Sequence, residues 1–388
     1  MGFANPFQIY FFIWFFLILG YYFSRDSFIQ VAPEYLLLIL TAKAVALTLV
    51  VGVYLSISRA AEFKGFEGVL RPRVGRIWLA QILVLLAIPL VYQRAVSLAG
   101  GDDIFSVIGY IKLRSAMTDD GESFGVLSYF SVLSVVVTSI LVNSYAERKI
   151  HLLRMIASIL ISLFYAYIST ARTYVLFLFL LLIFPLVLAG VIRFKGILIA
   201  LFFMVCAFIF VAMMTAKGVS VEADAADNAS SFAENLRAYT VAPFLAFSRL
   251  VSNPPAAEWG LNTFRLVTTV LNALGVTDRA PPALIRSYEF VPDATNVYTV
   301  YETYFRDFLF LGVFIPPLFL IGHWWLYKKA KKSGGKWVYY YSASMYPLVM
   351  QFFQDQYFSL LAMWIQIGFW YWLLLSPQLR LEKDVARD

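Results

Sequence analysis

The strongest constraint on this chain is a series of apolar runs, nearly free of charge, that recurs along most of its length. Each run has about 20 residues, which is enough for a helix to cross the hydrocarbon core of a bilayer. The runs lie at about 6–23, 34–57, 77–93, 123–146, 155–171, 173–192, 196–216, 308–327, 337–354 and 356–379. They lack the alternating polar pattern of an outer-membrane barrel strand. A chain with 61% hydrophobic and 14% charged residues is also too apolar for an ordinary soluble domain. We therefore expect an all-α polytopic membrane protein, one integral-membrane domain over 1–388 with about ten transmembrane helices.

The lysine and arginine residues predict the orientation of these helices. They collect between runs two and three, four and five, six and seven, and eight and nine, and again after run ten. Cytoplasmic loops carry the excess of such residues, so all five segments and both termini are predicted to be cytoplasmic. The net charge of +7 then needs no nucleic-acid partner to explain it.

Two longer segments fall on the opposite, extracytoplasmic side. The loop 97–122 predicts a short interfacial helix, and the loop 217–307 predicts two or more short helices. One begins at a capping box, Ser231 to Glu234. The other, TFRLVTTVLNALG, has an apolar face, a polar face with Arg265, and Gly275 as its stop. Such helices either lie in the membrane interface or fold over a cavity between spans.

The acidic and cysteine residues give little support for a metal site. Asp102 with Asp103, and Asp119 with Asp120 and Glu122, offer hard oxygen ligands, but acidic caps on a solvated helix explain them more simply. Cys206 is the single cysteine, which excludes an intramolecular disulfide. We expect no metal and no cofactor.

Several cationic side chains lie within an apolar run, where burying a charge is costly, or in a loop predicted to be extracytoplasmic, where lysine and arginine are usually few. Lys43 lies within the second run, so it should face a partner, a cavity or the interface. Arg172 is the one charge in a turn between two apolar runs, where it either reaches lipid headgroups or binds a phosphate. The large outer loop adds the arginines Arg237, Arg249, Arg265, Arg279, Arg286 and Arg306. We interpret this excess as a sign of an anionic ligand.

The stretch PDATNVYTVYETYFRDFLFLG joins the large loop to the eighth run. Its tyrosines form either an interfacial belt or, together with the neighbouring polar side chains, a sugar site. Glu302 and Arg306 are spaced as a helical i, i+4 ion pair, which leaves Asp307 free for other work.

The run YTVAPFLAFSRLVSNPPAAEWGLNTFRLVTTVLNALG, followed by TNVYTVYETYFRDFLFLG, resembles the large-loop pattern of the oligosaccharide repeat-unit polymerases, the O-antigen polymerases. STARTYVLFLFL resembles their Ser-x-x-Arg turn, and Arg249 with Gly260 fits their spacing of an arginine, ten residues and a glycine. The resemblance covers about 168–312. The sequence departs from the family at Asp307-Phe308, because Leu309 follows and Gly312 comes later.

The resemblance implies a glycosyltransferase of the bacterial inner membrane, with its active site facing the periplasm. It would move a growing glycan from one undecaprenyl pyrophosphate to a sugar hydroxyl of another lipid-linked unit. Its expected partners are these lipid-linked oligosaccharides, membrane lipids and a chain-length regulator. Arg172 and Arg265 would bind the pyrophosphate, Arg249 would shape the site, and Asp307 would act as a base or as a structural residue. The expected substrate ligands are Thr295, Asn296, Tyr298, Tyr304, Lys217 and Arg237.

Three other functions compete with this interpretation. An O-antigen ligase would share the architecture and transfer a finished glycan. A lipid-linked oligosaccharide flippase or other transporter would need polar residues through the middle of several spans, which are scarce apart from Lys43. A metal-dependent glycosyltransferase would use the acidic pairs near Asp102 or Asp119.

Overall fold

The computed structural model describes residues 5–57, 73–118, 121–192, 195–196, 198–199, 202, 225–283, 286–292 and 294–375. Within these ranges the chain is almost entirely helical. The helices before the large loop are α1 (Pro6–Ser24), α2 (Pro33–Ile57), α3 (Val74–Leu98), α4 (Val107–Thr118), α5 (Ser128–Ala146), α6 (Leu152–Ile168) and α7 (Arg172–Leu188). Those that follow are α8 (Ala225–Ser252), α9 (Arg265–Ala273), α10 (Tyr301–Phe308), α11 (Ile315–Ser333), α12 (Lys336–Met350) and α13 (Leu361–Leu374). Two short strands, β1 (Glu289–Phe290) and β2 (Ala294–Thr295), form an antiparallel pair.

Five helical stretches in the described ranges are long and apolar enough to cross a membrane: Pro6–Ser27, Pro33–Val53, Val74–Leu98, Gly125–Ala146 and Tyr301–Ser333. Leu152–Ile168, Thr173–Leu188 and Leu361–Leu374 are apolar but shorter. The all-α membrane class is thus confirmed, whereas the number ten and the orientation stay predictions. The predicted run 196–216 lies largely outside the described residues.

The buried side chains form two hydrophobic cores that share one helix. The first core joins α1, α2, α8, α10 and α11, and the second joins α3, α5, α6, α7 and α13. Helix α12 contributes to both, because Tyr341 and Met345 belong to the first core, and Tyr339 and Tyr346 to the second. A helix that is apolar around its whole circumference is expected between two such layers.

Local signals explain where two of the long helices begin. Pro6 lies in the first turn of α1, and the Asn5 side chain caps that turn by accepting a hydrogen bond from the Phe7 amide at 2.9 Å. Pro316 and Pro317 occupy the first turn of α11, where no intrahelical donor is needed. Gly334, at φ 59°, ends α11 in a conformation that suits glycine.

Helices occur in both segments for which they were predicted, 97–122 and 217–307, but the first helix of the second segment is long rather than short. Helix α4 lies in 97–122, and α9 ends just before Gly275, which adopts φ 69°. Helix α8 begins at Ala225, earlier than the capping box. Its last part is not a surface helix, because Val241, Phe244 and Phe247 are buried in the first core.

Candidate functional site

Helix α10 contributes two members of an ion triplet that is centred on a buried carboxylate. Glu302 is 6% exposed, and its Oε1 lies 2.9 Å from Nε of Arg286 and in direct contact with Nε of Arg306. The predicted Glu302–Arg306 pair is thus confirmed, and Arg286, from the loop after α9, joins it. Arg286 also donates from Nη2 to Oδ1 of Asn262 at 2.6 Å. Two guanidinium groups therefore share one carboxylate.

Asp307, next along α10, is fully buried and holds the segment before α9. Its Oδ1 accepts hydrogen bonds from the backbone N and Nδ2 of Asn262 at 3.1 and 2.8 Å, and its Oδ2 accepts one from the Thr263 amide at 2.6 Å. Asn262 also donates to Glu258 at 2.8 Å. Because both oxygens of Asp307 accept hydrogen bonds within the protein, the carboxylate is not positioned to take a proton from the hydroxyl of an acceptor sugar. This geometry favours the structural role for Asp307 over the role of a base.

Tyr304 is oriented by the connection between α12 and α13. Its hydroxyl donates to Oδ1 of Asp355 at 2.9 Å, and Asp355 also accepts from the Tyr357 amide at 3.1 Å and from the Ser359 amide and hydroxyl at 3.0 and 2.7 Å. Both Tyr304 and Asp355 are buried. Tyr304 therefore fixes the 351–360 connection against α10, and its phenol is not presented to a sugar.

Gly312 permits the close packing of the chain after α10. The 3-10 segment Leu309–Phe314 folds back so tightly that a Cβ on Gly312 would lie 1.9 Å from the carbonyl oxygen of Tyr304. Only glycine fits such an approach to a backbone carbonyl. The departure from the family pattern at Leu309 thus coincides with a sharp turn, in which Leu309 adopts φ 50°.

A small polar cleft opens beside the ion triplet. It is lined by Arg286, Asn296, Val297, Tyr298, Glu302, Thr303, Gln354 and Ser359. Two predicted ligands, Asn296 and Tyr298, belong to this polar cleft. Burial raises the pKa of Tyr298, an effect that Arg306 partly offsets, so the phenol is a neutral hydrogen-bond donor at neutral pH. Amide, hydroxyl, phenol and guanidinium groups together are the donors and acceptors that sugar hydroxyls and phosphate oxygens require.

Three further predicted residues, Arg265, Arg249 and Thr295, contact or adjoin other parts of the large loop. Arg265, at the start of α9, donates to the carbonyl of Pro282, and its pKa is lowered first by burial and second by the charge of Arg286. Arg249, at the end of α8, lies 3.6 Å from Glu289 of β1. Thr295 of β2 is buried directly before Asn296. Arg249 therefore connects α8 to the strand pair.

Three predicted residues are described only in part or not at all. Arg172 begins α7, and its side chain lies outside the described part of the chain. Arg237 lies in α8, again without a described side chain, and Lys217 is not among the described residues. Arg114 of α4 donates to the Thr170 carbonyl at 3.4 Å, so a second arginine reaches the turn before Arg172.

The beginning of α7 packs close to the 351–360 connection. Phe177 of α7 stacks edge-on against Tyr346 of α12 and Trp364 of α13, with ring centroids 5.1 and 6.3 Å apart. Trp364 donates to the carbonyl of Gln356 at 2.8 Å. Gln354 and Ser359 of the same connection line the polar cleft, so this connection joins the surroundings of α7 to those of the cleft.

Lys43 has an aromatic environment within the first core. Its Nζ donates to the hydroxyls of Tyr10 and Tyr301 at 2.8 Å each, and lies 3.2 Å from the centroid of the Trp14 ring. Trp14 in turn donates to Oε1 of Gln351 at 2.8 Å. Of the surroundings predicted for Lys43, the structure shows partners: the side chain joins α2 to α1 and to the first residue of α10.

The acidic pairs of 97–122 do not converge on a metal site in the described ranges. Asp102 pairs with Lys112, Glu122 lies 3.0 Å from Arg94, and Asp103 caps the turn before α4. Asp119 and Asp120 lie outside the described residues. Within the described ranges no three His, Cys, Asp or Glu side chains come together as a metal-ligand group.

Sequence reasoning did not single out three residues of the 351–360 connection: Gln354, Asp355 and Ser359. The signal in the sequence was the polar triplet Gln354 to Gln356, which separates the last two apolar runs. The sequence did not distinguish Arg286 from the other arginines of the large loop, because its contact with Glu302 is visible only in the structure.

Comparisons with protein-family models, curated proteins and solved structures find no significant match for this chain. The resemblance to the oligosaccharide repeat-unit polymerases therefore stays a prediction from its motifs.

Proposed function

We propose that this chain is a membrane glycosyltransferase that polymerises undecaprenyl-pyrophosphate-linked oligosaccharide repeat units at the extracytoplasmic face. The observation that carries the proposal is the polar cleft beside α10, with Arg286, Asn296 and Tyr298 in its wall, in a chain whose helices are long and apolar enough to cross a membrane. Lipid-linked sugars carry a pyrophosphate and several hydroxyls, and guanidinium, amide and phenol groups are suited to bind these.

The reaction breaks the bond between the anomeric carbon of the growing glycan and its pyrophosphate oxygen. The electron pair of that bond leaves with the pyrophosphate oxygen, while the oxygen of an acceptor hydroxyl on a second lipid-linked unit forms the new bond to the anomeric carbon and releases its proton to water. Both substrates diffuse in the membrane, so holding them together supplies part of the catalysis. The lipid pyrophosphate leaves with increased negative charge, which prearranged guanidinium groups stabilise.

The proposed roles follow the positions of the side chains. Arg286 and Arg265 bind the leaving pyrophosphate, and Arg172 contributes from the start of α7. Asn296 and Tyr298 orient sugar hydroxyls from the wall of the cleft. Arg249 holds the strand pair that leads into Asn296. Asp307 positions the segment before α9, and no residue is assigned as the base.

The test uses purified protein in liposomes with lipid-linked repeat units, and reads chain length on gels. Arg172→Ala, Arg265→Ala and Arg286→Ala should each slow polymerisation by about 100-fold or more, the usual loss for one transition-state donor. Arg286→Lys keeps a positive charge beside Glu302. This variant distinguishes slow polymerisation caused by misfolding from slow polymerisation caused by the missing guanidinium group. Arg279→Ala, at an exposed arginine of the same loop, is the matched control.

Near-normal polymer from all three alanine variants would refute the proposed leaving-group site. In the native host, loss of the protein should leave a surface glycan of one repeat unit. Long polymer stranded on its lipid carrier would instead indicate a ligase.

A further inference from the structure

Helix α9 presents an apolar face that the described part of the protein leaves largely exposed, apart from an edge-on contact of Phe264 with Phe358. Phe264, Val267, Val270, Leu271 and Leu274 are 51%, 51%, 48%, 37% and 70% exposed, and they lie along one side of the helix. Trp259, shortly before the helix, is 78% exposed. So many large apolar side chains together on one surface indicate a contact with something apolar.

The other side of α9 is occupied, so the helix cannot bury its apolar face by turning over. Arg265 donates to the Pro282 carbonyl, and Asn272 donates to the Thr277 carbonyl at 3.0 Å. Thr268 is buried toward the protein. The helix is therefore held with its polar side inward and its apolar side outward, the reverse of a helix that closes over a cavity.

The position of α9 along the bundle is set by its attachment to α10. Asp307 binds Asn262 and Thr263, and the Glu258 amide donates to the Arg306 carbonyl at 2.9 Å. These bonds hold the segment before α9 at the point where the polar helix α10 gives way to the apolar stretch that continues into α11.

The surface next to this attachment is apolar and continuous with the outside of α11. Phe310 and Leu311 are 50% and 77% exposed, and Leu318 and Ile321 of α11 are 49% and 47% exposed. In a helix apolar enough to cross a membrane, such side chains face the acyl chains. The apolar face of α9 is thus adjacent to a lipid-facing surface, which identifies its occupant as lipid rather than a second copy of the chain.

We propose that α9 is an interfacial helix whose apolar face lies in the boundary between headgroups and acyl chains of the adjacent leaflet, with Trp259 beside it. A short amphipathic helix with one apolar side and one polar side is suited to that position, and tryptophan is enriched there. The inference concerns a lipid contact and does not depend on the proposed reaction.

The experiment places a fluorescent thiol probe on each side of α9 in the full chain. Cys206→Ser removes the native thiol, and Val270→Cys or Leu274→Cys then labels the apolar face. Thr269→Cys is the matched control, because Thr269 is the neighbouring residue and is also exposed, but on the polar side. Each protein is reconstituted in liposomes of phosphatidylethanolamine and phosphatidylglycerol, with a nitroxide quencher attached to the acyl chain near its headgroup end.

We expect quenching at Val270 and Leu274 to exceed quenching at Thr269 several-fold, independently of the protein-to-lipid ratio. Equal quenching at all three positions would overturn the proposal, as would quenching at none of them. Quenching at Val270 that emerges only when the protein is diluted in lipid would show that a second copy covers the face, which also overturns it. Labelled proteins are compared with the unlabelled chain by thermal unfolding, and the use of two positions guards against a local disturbance at one.

Discussion

Asp307→Asn distinguishes a structural carboxylate from a catalytic base, since it preserves the shape of the side chain but removes its charge. Asp307 accepts three hydrogen bonds, from the N and Nδ2 of Asn262 and from the Thr263 amide. An asparagine can accept at one terminal atom only, so its amide nitrogen would face a donor at the other. Two donors would then oppose each other in a fully buried site.

The magnitude follows from those contacts. One hydrogen bond to a charged group is lost, at about 1.5–3 kcal/mol, and each of the two others becomes neutral and weakens by about 1 kcal/mol. The segment before α9 should therefore open more easily by about 4 kcal/mol. Because about 1.4 kcal/mol corresponds to a factor of ten, the amides of Asn262 and Thr263 should exchange roughly a thousandfold faster.

The assay is amide hydrogen exchange followed by mass spectrometry, on the whole protein in lipid nanodiscs. Peptides covering 258–273 should lose protection in Asp307→Asn, while peptides from α12 keep theirs. Asp278→Asn, at an exposed carboxylate of the same loop, should leave exchange unchanged. If Asp307→Asn abolished polymerisation while exchange in 258–273 stayed normal, the structural role would be refuted and the role of a base supported.

Three further predictions concern packing, the buried lysine and metal dependence. Gly312→Ala should destabilise the protein by about 1–3 kcal/mol or more, because its Cβ would overlap the Tyr304 carbonyl, whereas Gly322→Ala, with no neighbour within 4 Å, should not lower the unfolding temperature. Lys43→Met should lower stability by about 1–3 kcal/mol through loss of the Trp14 and tyrosine contacts, measured by thermal unfolding in detergent; an unchanged midpoint would contradict this. Polymerisation should survive EDTA, and a complete loss that Mg²⁺ restores would move the acidic pairs of 97–122 into the active site.

Features that depend on neighbouring residues were predictable from the sequence. The apolar runs indicated a helical membrane protein, the spacing of Glu302 and Arg306 indicated their pair, and the two faces of α9 with Gly275 as its stop were readable from a short stretch. Each of these follows from helical periodicity or from the conformational preference of one residue type.

Features that join distant parts of the chain were not predictable. Asp307 was assigned a free carboxylate because its partners, Asn262 and Thr263, lie more than 40 residues away. Tyr304 was expected to contact sugar, but its hydroxyl meets Asp355, 51 residues further along. Hydrogen bonds of this kind depend on how the helices pack, and a single sequence carries no local signal for that.

The eight residues of α10 connect structures that respond to different conditions. Tyr301 at one end contacts Lys43, Glu302 lines the polar cleft, and Asp307 holds the segment before α9. If α9 lies in the leaflet, a change in bilayer thickness moves α9 relative to the bundle and strains the hydrogen bonds that Asp307 accepts from Asn262 and Thr263. The lipid composition of the membrane would then affect the geometry of the cleft.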